Sequence, residues 1–348
     1  MVSILVTMLL LIVISLIVLG FAQIARRNQR QSLDRQLSTQ AFYAAETGIN
    51  DVRDVIRQNI NAGTTIAAKT DCDPASAAAY APPTLNPTVD AANGISYSCI
   101  LVDPTPSTLV YGSIDSTSTI VPLISASGGN ITSVTMTWQS KGGSATPVTG
   151  CPTVVAGVFN AVSSWNCGYG IVRMDLVGTA GTLTQAGLQA GTMTSFLVPL
   201  NNVGSNSLGF VAGTANTNNR FGVKCSNTNC NLTITVPAST QYYLRLSTIY
   251  KGVSLQVTTT DASSNPLKLQ GAQAVIDATG KAQDVLRRVQ VHIPLTPSST
   301  TQLPDYAIGS TDAVCKRFVT LDGFFQSFAA TAVAGLTSIT TPPNPMCQ

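Results

Sequence analysis

The sequence predicts an α+β fold: one long N-terminal helix followed by a disulfide-bridged, antiparallel β-sandwich-like globular domain. Three observations predict it. The first 22 residues carry no charge, the next forty repeat apolar residues at steps of three and four, and everything after residue 70 alternates β-branched runs with turn residues and holds all eight cysteines. The expected organisation is a helix over residues 1–61, a connecting loop over 62–94 and a β-rich domain over 95–348. The turn-rich stretch 204–219 (GSNSLGFVAGTANTNN) is a possible division between two subregions.

The opening run, MVSILVTMLLLIVISLIVLGFA, is apolar on every side, and as a helix it rises about 33 Å, enough to cross a hydrocarbon core. A cleaved secretory signal has a shorter apolar run and a small-residue cleavage site, whereas here the helical pattern continues, so the segment reads as retained. Arg26, Arg27 and Arg30 follow it, and by the positive-inside rule they would hold that end in the cytoplasm. Cysteines confined to the region beyond residue 70 favour folding in an oxidising compartment outside. The two agree if Met1 is the residue left after removal of a short basic leader.

Leu33, Leu37, Ala41, Ala45, Ile49, Val52, Ile56 and Ile60 form one helical stripe, with Arg26, Arg30, Asp34, Arg35, Asp51, Arg53, Asp54 and Arg57 on the other faces. Ala62-Gly63-Thr64 is the stop signal. The rod is then about 60 residues, roughly 90 Å. Its second half, 23–61, lays the stripe on its own domain; its first half has no such partner. Exposing the large apolar side chains of residues 1–22 to water would cost on the order of 20 to 40 kcal/mol at roughly 1.5 to 3 kcal/mol each. That segment can leave lipid only for an equivalent apolar environment, such as a bundle of the same segment from neighbouring copies. The candidate assembly residues are Met1, Ile4, Leu5, Met8, Leu9, Ile12, Leu16, Leu19 and Gly20, the glycine weakening the helix by about 1 kcal/mol relative to Ala. Glu46, the sole glutamate, sits between Arg30, Arg35 and Arg53, which makes these four candidates for an ion pair within or between rods.

An uncharged N-terminal helix, an amphipathic continuation and a cysteine-bridged β domain together resemble the type IV pilins and the pseudopilins of type II secretion. RQLSTQAFYAAETGIND (35–51) is similar to the Ala-Ala-Glu helix of PilX-like minor pilins. ISYSCILVDPTP (95–106), DVLRRVQV (284–291) and DAVCKRF (312–318) are also similar to phrases of large pilin-like proteins. The resemblance implies a subunit of a helical filament, or a tip-type minor pilin, with adhesion, motility or DNA uptake as roles of the assembled fibre. It also implies a processed and methylated N-terminus, a leader peptidase, an assembly ATPase, a platform protein and other pilins as partners. A host or neighbouring-cell surface is the target it suggests. The location it implies is an extracellular pilus or cell surface, with a cytoplasmic-membrane pool before assembly. One departure stands out: pilins carry a Glu at the fifth mature position, here Leu5, and no carboxylate precedes Asp34. A membrane-tethered adhesin that never polymerises is the competing expectation.

The strands are ISYSCILV, STIVPLI, SVTMTWQS, YGIVRMDLV, TSFLVPL, NLTITV, YYLRLSTIY and VSLQVTTT, while 272–284 and 324–334 are ambiguous between helix and strand. Eight cysteines allow 105 pairings, and nearest neighbours are the pairing adopted: Cys72 with Cys99, Cys151 with Cys167, Cys225 with Cys230, and Cys315 with Cys347.

No catalytic chemistry is evident. His292 is the only histidine and lies in a strand-like run with no glutamate to join it. The cysteines lack Cys-x-x-Cys spacing for zinc, and no phosphate-cradling glycine loop occurs. A net charge of +3 from 19 scattered Lys and Arg argues against a nucleic-acid partner. No cofactor is expected; calcium is considered only because Asp71, Asp73, Asp277, Asp284, Asp305, Asp312 and Asp322 sit in loop-like surroundings, none in an EF-hand loop. Asn130-Ile131-Thr132 and Asn231-Leu232-Thr233 fit the glycan acceptor pattern.

Overall fold

The computed structural model describes residues 2–73, 80, 85, 87–115, 118–143, 147–155, 162–178, 191–211, 219–295, 319–321 and 324–326; the side chains of 2–7, 9, 12–13, 319–321 and 324–326 fall outside that description. The chain divides into two compact units, Met1–Thr301 and Gln302–Gln348. In the second, the described part is one antiparallel hairpin, Val319–Leu321 with Phe324–Gln326. Residues 324–326, ambiguous in the sequence, are therefore strand.

The first unit opens with α1 (Val2–Asn61), unbroken through Gly20, and closes it as the Gln58 carbonyl accepts from Ala62 and the Asn59 carbonyl from Thr64, with Gly63 at φ +66°. Fifteen strands follow: β1 (Thr88–Asp90), β2 (Ile95–Asp103), β3 (Thr108–Ile114), β4 (Thr119–Ser125), β5 (Ile131–Ser140), β6 (Ile171–Gly178), β7 (Thr192–Asn201) and β8 (Ser207–Gly209), then β9 (Arg220–Cys225), β10 (Cys230–Ser239), β11 (Gln241–Ile249), β12 (Val253–Thr260), β13 (Leu269–Gln270), β14 (Gln273–Ala282) and β15 (Val285–Pro294). They build a four-stranded antiparallel sheet, β1-β2-β14-β15, and an eleven-stranded sheet in the order β13-β4-β11-β6-β7-β9-β10-β5-β12-β3, with β8 beside β10.

The large sheet is barrel-like, which corrects the expected sandwich. Strands such as β5, β10, β11 and β12 alternate, and their inward faces turn into a single interior filled by Trp138, Tyr169, Tyr242, Met136, Met174 and Leu123. A sandwich needs two sheets with separate edges. Here the two edge strands come together: the Leu269 N–H of β13 donates to the Pro106 carbonyl just before β3 at 3.1 Å, and the Thr248 N–H of β11 donates to the Asp115 carbonyl just after it at 3.0 Å. The pairing is also not wholly antiparallel, since β7 runs parallel to β9 and β8 parallel to β10. That last pairing takes up part of the stretch 204–219, so β8 is woven into the large sheet.

The two sheets are coupled through Gln273, the first residue of β14, whose side-chain amide donates to the Val110 carbonyl at 2.8 Å and accepts from the Val110 N–H at 2.9 Å. Among the described residues there are three disulfides: Cys72–Cys99 ties the segment after α1 to β2, Cys151–Cys167 closes a loop ahead of β6, and Cys225–Cys230 joins the paired ends of β9 and β10. Cys315 and Cys347 lie outside the described residues. Residues 272–284, the other ambiguous stretch, become β14 and its turn. Their alanines carry helix propensity, but β14 is the central strand between β2 and β15, and tertiary burial of Ala274, Ile276, Ala278 and Ala282 overrides it.

Candidate assembly surface on the N-terminal helix

Two stretches of α1 have opposite surroundings. Ala41, Ala44, Ala45, Ile49, Val52 and Ile56 are buried, with Leu37, Val55 and Ile60 half-buried beside them. They pack on Ile95, Tyr97, Ile100, Val102, Ala274, Ile276, Ala278 and Ala282 of the small sheet, a helix-on-sheet layer. Small residues bring the two backbones close. A Cβ built on Gly280 of β14 would stand 1.9 Å from the Ala41 carbonyl oxygen, and one on Gly48 would stand 2.9 Å from the Tyr97 ring. The Ala-Ala-Glu-Thr-Gly run is therefore what lets the rod lie against β14, and it also explains why Ala rather than Leu occupies the middle of the stripe.

Polar contacts at this seam are few. The Tyr97 hydroxyl donates to Asp51 Oδ2 at 2.8 Å, and Arg287 Nε donates to Ser38 Oγ at 2.7 Å. Burial, and then the neighbouring Asp51 carboxylate, push the Tyr97 phenol well above its ordinary range. Of the ion-pair candidates, Glu46, Arg30, Arg35 and Arg53 are all exposed and make no ion pair among the described residues. The ion pair on α1 is instead Arg57 with Asp54 at 3.7 Å, exposed and of little energetic weight.

N-terminal to Leu37 the helix leaves the domain. Leu33, expected in the stripe, is 58% exposed because the small sheet ends before it. Met8, Leu16, Leu19, Phe21 and Ile24 are likewise each more than half exposed, and Gly20 has nothing within 4 Å of where a Cβ would stand. The backbone at Ile4, Leu5, Leu9 and Ile12 is helical, while their side chains, and Met1 altogether, lie outside the described residues. Among the described residues no helix is long and apolar enough to cross a membrane. The span expected over residues 1–22 falls largely on side chains outside the description, and from Arg26 onward the described helix is charged.

A helix of sixty residues, docked through small residues at one end and bare and apolar at the other, is the geometry on which the comparison with known proteins bears. Residues 2–50 match the PilX N-terminal family model. The match supports assigning the chain to the PilX-like type IV pilins. No curated protein and no solved structure matches the chain. The matched segment thus covers both the bare apolar run and the Ala-rich docking stretch, while Val52 and Ile56 of the docked face lie beyond it. A pilin-family match over this segment suggests a structural rather than a catalytic protein, assembly with other pilins, and a pilus or surface location.

Elsewhere, the candidate calcium ligands are not gathered: Asp71 pairs with Lys69 at 3.3 Å, Asp277 is buried against Arg288, and no group of three metal-binding side chains occurs among the described residues. Asp305, Asp312 and Asp322 lie outside them. His292 is half-buried opposite Val275, and burial lowers its pKa. Gly280, Gly48 and the Tyr97–Asp51 contact were not among the predicted site residues. The cluster of small residues from Ala41 to Gly48 is the one signal in the sequence that points to them.

Proposed function

We propose that this chain is a structural subunit of a type IV pilus or pilus-like filament, polymerising through the apolar first half of α1 and displaying its β-rich domain on the fibre surface. The observation that carries the proposal is the contrast along one continuous helix. From Leu37 onward α1 is held by its own small sheet, whereas Met8, Leu16, Leu19, Phe21 and Ile24 are each more than half exposed among the described residues. Water is the least favourable surrounding for that run, so it passes from the cytoplasmic membrane to a bundle of equivalent helices. Ile4, Leu5, Leu9 and Ile12 belong to the same surface in this reading, and adhesion, motility or DNA uptake is the work of the fibre. Residues 1–33 carry no carboxylate, so packing through this stretch, in a shaft or a tip subunit, is apolar in this reading.

Electron microscopy of fibres sheared from cells, with mass spectrometry of their constituents and N-termini, tests this. The chain is expected in the fibre fraction, and Leu16→Asp is expected to remove it from that fraction while the β-domain circular dichroism stays unchanged. Wild-type chain found only with membranes would establish a tethered adhesin instead, and normal incorporation of Leu16→Asp would refute packing through α1.

A further inference from the structure

The outer face of four neighbouring strands, β10-β5-β12-β3, is uncharged throughout. Reading across it in register, Thr233 stands beside Thr135, Thr135 beside Thr258 and Thr258 beside Thr108. Thr235, Ser133 and Thr260 make a second row, and Asn231, Thr137, Gln256 and Val110 a third. In the first two rows the hydroxyls satisfy one another across strands: Thr135 with Thr233 at 3.0 Å and Ser133 with Thr260 at 2.7 Å. Asn231 Nδ2 likewise donates to Thr137 Oγ1 at 3.0 Å.

Towards the end of β5 the pattern changes. The face opens into a groove of about 420 Å³ whose lining includes Gln139, Gln256, Asn229, Ser254, Tyr111 and Leu255. The side-chain amides of Gln139, Gln256 and Asn229 make no hydrogen bond there among the described residues. Each therefore presents a carbonyl acceptor and an NH₂ donor pair to whatever enters. Tyr111 is half-buried, and burial raises its phenol well above the ordinary range. Lys141, next to the groove-lining Gly142, is paired with Asp115 at 3.1 Å.

From this juxtaposition of amides without a hydrogen-bond partner among the described residues, hydroxyls and apolar surface without net charge, we propose that the groove between β3, β5 and β12 binds a neutral oligosaccharide. An amide that both donates and accepts matches the vicinal hydroxyls of a sugar, which do the same, and Val110, opposite Gln256 in register and part of the groove lining, supplies apolar surface for a ring face. Anionic glycans, nucleic acids and phospholipid headgroups need cations that this face lacks. Each protein–sugar bond replaces a bond to water, so one groove binds weakly. Repetition along a fibre then raises the apparent affinity on the order of 10²- to 10⁴-fold. The inference extends the filament reading, but the groove is built within one chain and does not depend on polymerisation.

The test uses the full chain, solubilised in a detergent without a sugar headgroup, immobilised densely and probed with arrays of neutral glucans, mannans and chitooligosaccharides beside polyuronates and sulfated glycans. Dense immobilisation supplies multivalency without fibres, so failure here is separate from failure of the filament proposal. Retention of at least one neutral series is expected, weakened at least tenfold in the double variant Gln139→Ala/Gln256→Ala at an unchanged melting temperature. Absence of neutral binding, retention of anionic glycans only, or full binding by the double variant would each overturn the proposal.

Discussion

Gly280 shows how one residue fixes the relation between rod and domain. Its missing side chain leaves room for the Ala41 carbonyl and the Ala45 amide, both backbone groups that cannot swing away. Gly280→Val is therefore expected to lift α1 from β14 and cost at least about 2 to 3 kcal/mol, as overpacking of a close seam does. Chemical denaturation would read the loss, and an equal loss from a valine at the open Gly20 would contradict this explanation. His292 carries the residue-scale dependence on pH. Its folded pKa lies below the ordinary 6.5 because burial disfavours the charged ring, so its stabilising contribution is complete above 6.5 and is lost as pH falls through the folded value. His292→Gln should flatten the fall in melting temperature as pH drops below about 6.5; an unchanged profile would show that other groups set it. Neither effect was legible beforehand in full. The small residues Ala41, Ala44, Ala45 and Gly48 are visible in the sequence, but the strand glycine they meet lies far along the chain, and nothing local marks it.

At the scale of elements, legibility follows the range of the interactions that define each one. The helical stripe is a local period, and it locates the docking stretch from Leu37 to Ile60 correctly; Leu33 fits the period but is exposed, because where a sheet ends is not written in the helix that crosses it. Strand runs such as SVTMTWQS and NLTITV are equally local and become β5 and β10. Closure of the large sheet is the opposite case. It rests on Leu269 meeting Pro106 and on Thr248 meeting Asp115, contacts between distant segments that no alternation pattern specifies, which is why two packed sheets were the expected form. The Cys72–Cys99 bridge joins the end of the rod segment to the small sheet across 27 residues. Replacing both cysteines by alanine is expected to cost about 3 kcal/mol by freeing the unfolded chain. Hydrogen exchange should accelerate in β2 and β14 more than in β5 and β10, and uniform acceleration would mean that the two sheets unfold as one.

For the molecule as a whole, the structure separates what folds the chain from what assembles it. The interior of the large sheet and the layer between α1 and the small sheet use residues from Leu37 onward, and the described side chains before that point touch neither. Removing residues 1–27 should therefore leave fold and stability intact while removing the surface that requires lipid or neighbouring helices. Such a chain is expected to be monomeric without detergent, to melt at the temperature of the full chain in detergent, and to be absent from fibres. Extending the deletion through residue 50 has a different expected outcome: Ala274, Ile276 and Ala278 of β14, together with Tyr97 of β2, lose the helix that covers them, and the exposed apolar face should drive aggregation. Analytical ultracentrifugation and calorimetry on the two truncations distinguish the cases. If the shorter deletion also aggregates, the first half of α1 has a structural role within the subunit that its exposed side chains do not account for; if the longer one stays monomeric and folded, the small sheet is stable without its helix layer, and the rod is docked rather than built into the domain.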